Sequence, residues 1–250
     1  MNRTLPVIML AALLPATAVA DTGITLGARY GTSDINGSLR QSSTSSADDL
    51  DINDDLGYRD ASPENFYLQL EHPLPLLPNA RLNRSGMDES ASGQLTRTVD
   101  FAGSTFTLGE TVGSTVDVTQ TDIILYYSIF DTVANIDVGV NAKHLDSSAS
   151  LTGSLAGNET ASISGWVPML YAGVGVDLPL TGLSIGADGS YTGYQGSRLY
   201  DLNLRASYTT DWHIGADLGY RRMKLNLDDF DDSYSDIEFD GPYAGVFVTF

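Results

Sequence analysis

Three histidines, His72, His144 and His213, are the only side chains here whose ordinary titration lies near neutral pH. His144 stands two residues before Asp146, a spacing that puts both on one face of a strand. An imidazole beside a carboxylate is a unit of general acid–base work, but spacing alone does not supply the geometry that such work needs. Acidic residues gather in two stretches, Asp48, Asp49, Asp51, Asp54 and Asp55, then Asp228, Asp229, Asp231, Asp232 and Asp236. Clustered carboxylates suit hard divalent cations. Asp51-Ile52-Asn53-Asp54-Asp55-Leu56-Gly57 nevertheless lacks the order of an EF-hand loop, so a solvated, self-repelling surface is expected, with no metal and no cofactor. A third set of charges stands singly, each beside an apolar residue: Arg29, Glu71, Asp137, Lys143, Asp177, Asp188, Asp201, Arg205, Asp217 and Arg221. What these can do depends on the elements that carry them.

Those elements are strands. Ile24, Leu26, Ala28 and Tyr30 alternate with Thr25, Gly27 and Arg29, and Ile136, Val138, Val140 and Ala142 with Asp137, Gly139, Asn141 and Lys143. Leu202, Leu204 and Ala206 alternate with Asn203, Arg205 and Ser207. A period of two marks a strand with two unlike faces. Here one face is aliphatic and aromatic, and the other is small, polar or charged. Many apolar faces end in an aromatic (Tyr30, Trp166, Tyr208, Tyr220), which suits a girdle at lipid headgroup level. A soluble sandwich also alternates, but the mid-strand charges of both signs suit a polar lumen better.

The first residues agree with export. Arg3, an apolar run from Leu5 to Leu14 and the small-residue end Ala18-Val19-Ala20 predict a signal peptide over residues 1–20, cut before Asp21. Without Arg3 the chain carries 12 basic against 32 acidic residues, a net charge of −20. That balance excludes nucleic acid as a partner. The absence of cysteine excludes disulfides, thiolate metal sites and a lipid-anchored Cys. No later apolar run is long enough for a helical span, so a membrane-resident chain must be a closed barrel, the fold that leaves no backbone group unpaired in hydrocarbon.

Ten strands are expected, with cores near 22–31, 64–72, 79–87, 115–130, 134–146, 163–178, 182–193, 198–209, 212–225 and 237–250. Long connections are expected at 32–63, 88–114, 147–162 and 226–236, with an extra hairpin within 96–112, and short turns between them. Short turns on one side and long loops on the other are the habit of outer-membrane barrels, and an even count puts both termini in the periplasm.

The chain ends Tyr243-Ala244-Gly245-Val246-Phe247-Val248-Thr249-Phe250. Tyr243, Gly245, Val248 and Phe250 resemble the C-terminal assembly signal by which the barrel-assembly machinery recognises a last strand. An unpaired edge is a hydrogen-bond template, and alternate side chains give it selectivity. With Leu70-Glu71-His72-Pro73-Leu74-Pro75-Leu76-Leu77-Pro78-Asn79, Asp177-Leu178-Pro179-Leu180-Thr181-Gly182-Leu183, Gly219-Tyr220-Arg221-Arg222-Met223 and Glu238-Phe239-Asp240-Gly241-Pro242-Tyr243, the chain resembles a family of proteobacterial outer-membrane β-barrel proteins of unassigned role. Its members occur in bacteria with the GlyGly-C-terminal (rhombosortase) sorting system. The resemblance implies location and fold and brings no catalytic residue.

The expectation is an all-β protein: a monomeric, antiparallel, up-and-down transmembrane barrel over residues 21–250, in contact with outer-membrane lipid and lipopolysaccharide. Its expected role is non-enzymatic, with acidic outer loops and a lumen filled by paired charges. A narrow cation-preferring channel is the alternative. An enzyme at the rim ranks lower: ten-stranded outer-membrane proteases place an Asp/His pair and an Asp pair there, and no matching motif appears beside His144.

Overall fold

A computed structural model of the chain describes residues 23–41, 50–74, 76–131, 133–230 and 233–250. The expected signal peptide, and Asp48, Asp49, Asp231 and Asp232, lie outside the described residues. The chain runs through β1 (Gly23–Gly31), β2 (Ser33–Gln41), β3 (Leu50–Asp51), β4 (Asp60–Ala61), β5 (Glu64–Glu71), β6 (Asn79–Gln94), β7 (Val99–Phe101) and β8 (Ser104–Phe106). It continues through β9 (Thr111–Asp131), β10 (Ala134–Gly153), β11 (Gly157–Leu178), β12 (Leu183–Tyr194), β13 (Ser197–Thr209), β14 (Ile214–Phe230) and β15 (Ser233–Thr249).

Ten of these strands form the wall, in the order β1-β5-β6-β9-β10-β11-β12-β13-β14-β15, every neighbour antiparallel. β15 returns to pair β1, from Thr25↔Thr249 to Gly31↔Tyr243, and closes the cylinder. Phe250 exchanges two further backbone hydrogen bonds with Ile24, at 2.9 and 3.2 Å. Closure removes the edges that an open sheet would leave bare.

The alternation decides which side faces out. Leu170, Val174 and Leu218 are 69%, 56% and 66% exposed, and the other aliphatic residues of their faces stand beside them. So large a continuous apolar surface on a soluble molecule would drive association; around a closed barrel it is a lipid belt. Aromatics rim it, with Tyr30, Phe66 and Trp166 towards one end and Tyr208, Trp212 and Phe250 at the other. Tyr200 and Tyr208 sit eight residues apart on β13, about 20 Å of height for a strand tilted some 40°.

Both described chain ends lie at one end of the cylinder, here the terminal end, where the turns are short. At the distal end the structure corrects the expected loops. β9, β10 and β11 have 21, 20 and 22 residues, about twice what the hydrocarbon requires. Segments 147–162 and 226–236 are therefore mostly strand, and 88–114 begins and ends in strand. The apolar alternation stops where the belt stops, while the ladder continues with Ser, Thr and Asp on its outer face, as at Ser148 and Ser150 opposite Ser162 and Thr160. β7 and β8 form the hairpin expected within 96–112.

The distal mouth is covered. β2 carries β1 onward along β15, and β3, β4 and the turn between them fold over the opening. Ile35, Leu50, Ile52, Leu56, Tyr58 and Leu95 pack there with Val99, Phe106, Val112 and Leu151 into an apolar core. Gly93 allows the cap turn to approach β6, since a Cβ there would stand 2.2 Å from the Asp55 carbonyl oxygen.

Candidate functional site: the barrel lumen

The inner faces of the ten strands converge on a network of charges and rings. On β10, Lys143 is 0% exposed. Its Nζ lies 2.8 Å from Asp122 Oδ1 of β9 and 2.9 Å from Asp201 Oδ2 of β13, and donates to Gln120 Oε1 at 3.3 Å. Arg221 of β14 grips the same Asp201 with two nitrogens, Nε at 2.9 Å and NH2 at 2.6 Å, and reaches Ser85 and Gln120 at 3.1 Å each. Asn141 donates to Asp122 and Ser190. Two cations and two carboxylates thus share one low-dielectric pocket, where each is costly unless the others stay in place.

A second unit stands beside it. Arg29 pairs with Asp217 at 2.8 Å, its guanidinium 4.3 Å from the Tyr67 ring centroid and 5.1 Å from that of Tyr243. Gly245 makes room for the pair: a Cβ there would meet Asp217 Oδ1 at 2.3 Å and the Arg29 Cγ at 2.7 Å. Tyr243 donates its hydroxyl to Asn203 at 2.7 Å. Towards the terminal end, Arg81 bonds Gln69 at 3.0 Å and faces Asp188 at 3.5 Å. The tilted rings of Tyr126 and Tyr171 lie 5.7 Å apart there. Tyr126 donates to Glu71, and Ser128 donates to Asp137. Arg205 and Asp177 line the terminal vestibule beyond, Asp177 exposed at its rim.

The structure therefore brings Lys143, Asp201 and Arg221 together, joins Arg29 to Asp217, sets Asp188 against Arg81, and keeps Asp137, Asp177 and Arg205 near the terminal end. Sequence reasoning missed Arg81 and Asp122, both buried. Asp122 reads as the polar border of the run from Ile123 to Phe130, because its own face continues with Ile124 and Tyr126. Arg81 alternates with Leu82 in the pattern that exposed the other lumen charges, and that parity was a usable signal. Of the assembly-signal residues, Tyr243 and Gly245 point inward, and Val248 and Phe250 stand on the lipid-facing parity.

His144 stands on the outer wall, its ring 4.8 Å from that of Trp166. Asp146 shares that outer face. His72 bonds the backbone of its own turn at Leu74 and Pro78. The acidic clusters serve the cap and the distal strands. Asp51 accepts from the amides of Asn53 and Asp54. Asp55 accepts from Thr96 Oγ1 at 2.6 Å and from the amides of Thr96 and Asp51. Burial alone would raise the Asp55 carboxyl; the Thr96 hydroxyl, these amides and nearby Arg97 outweigh it and hold the group below the usual carboxylate range. The Leu155 amide, against a lesser opposing effect of burial, does the same for Glu110, helped by Thr107 and Ser154. Among the described residues no three His, Asp or Glu side chains are grouped to hold a metal ion.

No protein-family model matches this chain, and no curated protein does. Solved structures do. The outer membrane protease OmpT from Escherichia coli is similar with a TM-score of 0.52 at 11% identity, over 91% of this chain and 97% of that one. The translocator domain of the autotransporter NalP from Neisseria meningitidis gives 0.45 at 12% identity over 92% and 89%, and Neisserial surface protein A gives 0.33 at 11% over 91% and 97%. At such identities the likeness is one of fold alone. The fold is a closed ten-stranded β-barrel of the outer-membrane kind.

Proposed function

We propose that this chain is a monomeric integral outer-membrane protein whose barrel is closed to through-flow and whose role is structural or at the cell surface, without catalysis. The observation that carries the reading is the Lys143–Asp122–Asp201–Arg221 cluster, with Lys143 and Asp122 buried, beneath an apolar cap. In a barrel little wider than eight strands, side chains suffice to fill the interior. The distal strands and acidic cap stand outside the cell, and the terminal end, with both termini, faces the periplasm. Tyr243, Gly245, Val248 and Phe250 serve the barrel-assembly machinery, and the aromatic rims meet phospholipid and lipopolysaccharide. Membership of the family found with the rhombosortase sorting system accords with the motifs quoted above. His144 and Asp146 on the lipid-side wall have no lumen groups to act with, which supports a role without catalysis.

Planar-bilayer recording of heat-modifiable, folded protein tests the closed lumen: no unitary steps are expected. Steady cation-selective steps would favour the alternative, a narrow channel past Arg81 and Asp188. Recovery of the protein in osmotic-shock fluid rather than in the outer-membrane fraction would overturn the location.

A further inference from the structure

β6, β9, β10 and β11 rise past the lipid belt as one tall sheet, paired out to Gln94↔Thr111, Gly153↔Val112 and Gly153↔Gly157. Its two sides end differently. Along β6 the cap seals the edge: the Ser62 amide donates to the Glu89 carboxylate at 2.7 Å, Tyr58 donates its hydroxyl to the Glu89 carbonyl at 3.4 Å, and the Asp55 turn packs on Gly93. Along β11 the edge is open. The ladder to β12 runs from Leu178↔Leu183 only to Leu170↔Tyr191, and β12 then turns back through Gln195 and Gly196 into β13. Among the described residues no strand pairs with the far side of 157–167. Every residue from Ala161 to Trp166 is exposed, Ile163 by 53%.

The register tells which backbone groups stand open. In an antiparallel ladder each residue turns its N–H and C=O to one side, and successive residues alternate. The Asp177 amide donates to the Val133 carbonyl at 2.8 Å, on the β10 side. The β10–β11 register continues from there to Gly153↔Gly157 without a shift, so odd-numbered residues of β11 bond β10 and even-numbered ones face away. Pro168, which lacks an N–H, belongs to the even set and leaves the β10 ladder intact. Asn158, Thr160, Ser162, Ser164 and Trp166 therefore hold out N–H and C=O groups along the open side. Their side chains take the outer parity, while Ile163 and Val167 share the inner parity of Met169, so the edge has one polar and one apolar border. Exposed edges are normally blunted by lysine, proline, a bulge or brevity. This one has eleven residues with no lysine, no proline and no register shift. Its one charged side chain, Glu159, accepts from Ser104 at 2.7 Å.

We infer that the β11 edge at 157–167 is a docking site for an extended segment of another protein, which adds antiparallel to β11 in the line of β12 and turns apolar side chains inward beside Ile163 and Val167. The outward orientation proposed above places this partner outside the cell; the pairing itself does not depend on it. A second copy does not fit. Strands tilted some 40° cross at about twice that angle when two barrels stand side by side in one membrane, so like edges cannot run together. The probe is a fluorescent nonapeptide of alternating threonine and valine between terminal lysines, added to heat-modifiable protein in lipid nanodiscs. Saturable binding is expected. Hydrogen exchange, which needs no substitution, should be fast at the Thr160, Ser162 and Ser164 amides without peptide and about tenfold slower or more with it, while Ala161 and Ile163 stay slow throughout. Ser162→Pro removes one open N–H and no β10 bond, so it should remain heat-modifiable and weaken binding about tenfold or more. No binding by the native chain, equal binding by Ser162→Pro, or exchange that ignores the alternation would each overturn the proposal. So would a native dimer that Ser162→Pro splits, since the occupant would then be a second copy. Orientation is read separately: peptide that binds the purified protein, yet binds cells carrying the native chain no better than cells carrying Ser162→Pro, would support the edge and overturn its place outside the cell.

Discussion

Lys143→Met probes the lumen network at its centre. The substitution keeps the length of the side chain and removes the ammonium that lies 2.8 Å from Asp122 and 2.9 Å from Asp201. Asp201 retains Arg221, but among the described residues Asp122 keeps only the Asn141 amide. Removing one partner of a buried pair typically costs 3–5 kcal/mol, and the polar cavity next to the site argues for the lower end, about 3 kcal/mol. Arg222→Met is the control: it breaks a 2.6 Å pair with Glu238 on a side chain 50% exposed on the outer wall, where solvent screening leaves a much smaller loss. The double variant Lys143→Met/Asp122→Leu removes both charges and should recover more than half of the loss, because the penalty comes from the stranded carboxylate. Urea unfolding in lipid vesicles, followed by the fluorescence of Trp166 and Trp212, measures all three. Both tryptophans lie on the exposed outer surface, on the opposite face of the wall from Lys143 and Asp122. A Lys143→Met loss no larger than that of Arg222→Met, or no recovery in the double variant, would refute the claim that the lumen is a closed, interdependent charge cluster.

Other parts of the structure make sharp expectations too. Gly245→Val should cost on the order of 1–3 kcal/mol in the same unfolding assay, because the Arg29–Asp217 pair occupies the space of any Cβ there; a neutral result would contradict the close approach. Phe250→Ser should slow assembly into vesicles by the isolated assembly machinery and leave the unfolding midpoint of already folded protein nearly unchanged. The depressed Asp55 carboxyl stabilises the cap fully above its unfolded value of 3.8, and that contribution is lost as pH falls through the lower folded value. Pepsin cleavage within residues 50–61 should therefore rise from about pH 4 to about pH 2, and Asp55→Asn should remove the dependence. His144→Ala should leave any activity towards lipid or peptide substrates unchanged; a selective loss would reopen the rim enzyme.

The lipid belt was readable because its rule is local. Leu202, Leu204 and Ala206 opposite Asn203, Arg205 and Ser207 need no knowledge of the partner strand to be sorted into two faces. The same rule failed where the two faces stop differing. Above the belt, Ser148, Ser150 and Thr160 look like loop composition, yet the ladder from β9 to β11 holds them in strands. The cap was illegible for a different reason. Ile35, Leu56, Leu95 and Phe106 come from four segments, and only the closed wall brings them over one mouth. In the lumen, parity identified the candidate charges, but which of them meet is set by the barrel's cross-section. Lys143 and Asp201 are 58 residues apart, and Arg29 and Asp217 are 188 apart.

Alternate residues of one strand face lipid and lumen, and quenching by brominated lipid distinguishes the two faces. Single cysteines are placed at Leu204 and at Asn203 of β13, labelled with bimane, and the protein is folded into vesicles containing brominated acyl chains. Strong quenching is expected at position 204 and little at 203. Equal quenching at both, or the reverse order, would contradict a barrel whose aliphatic face is its outer wall.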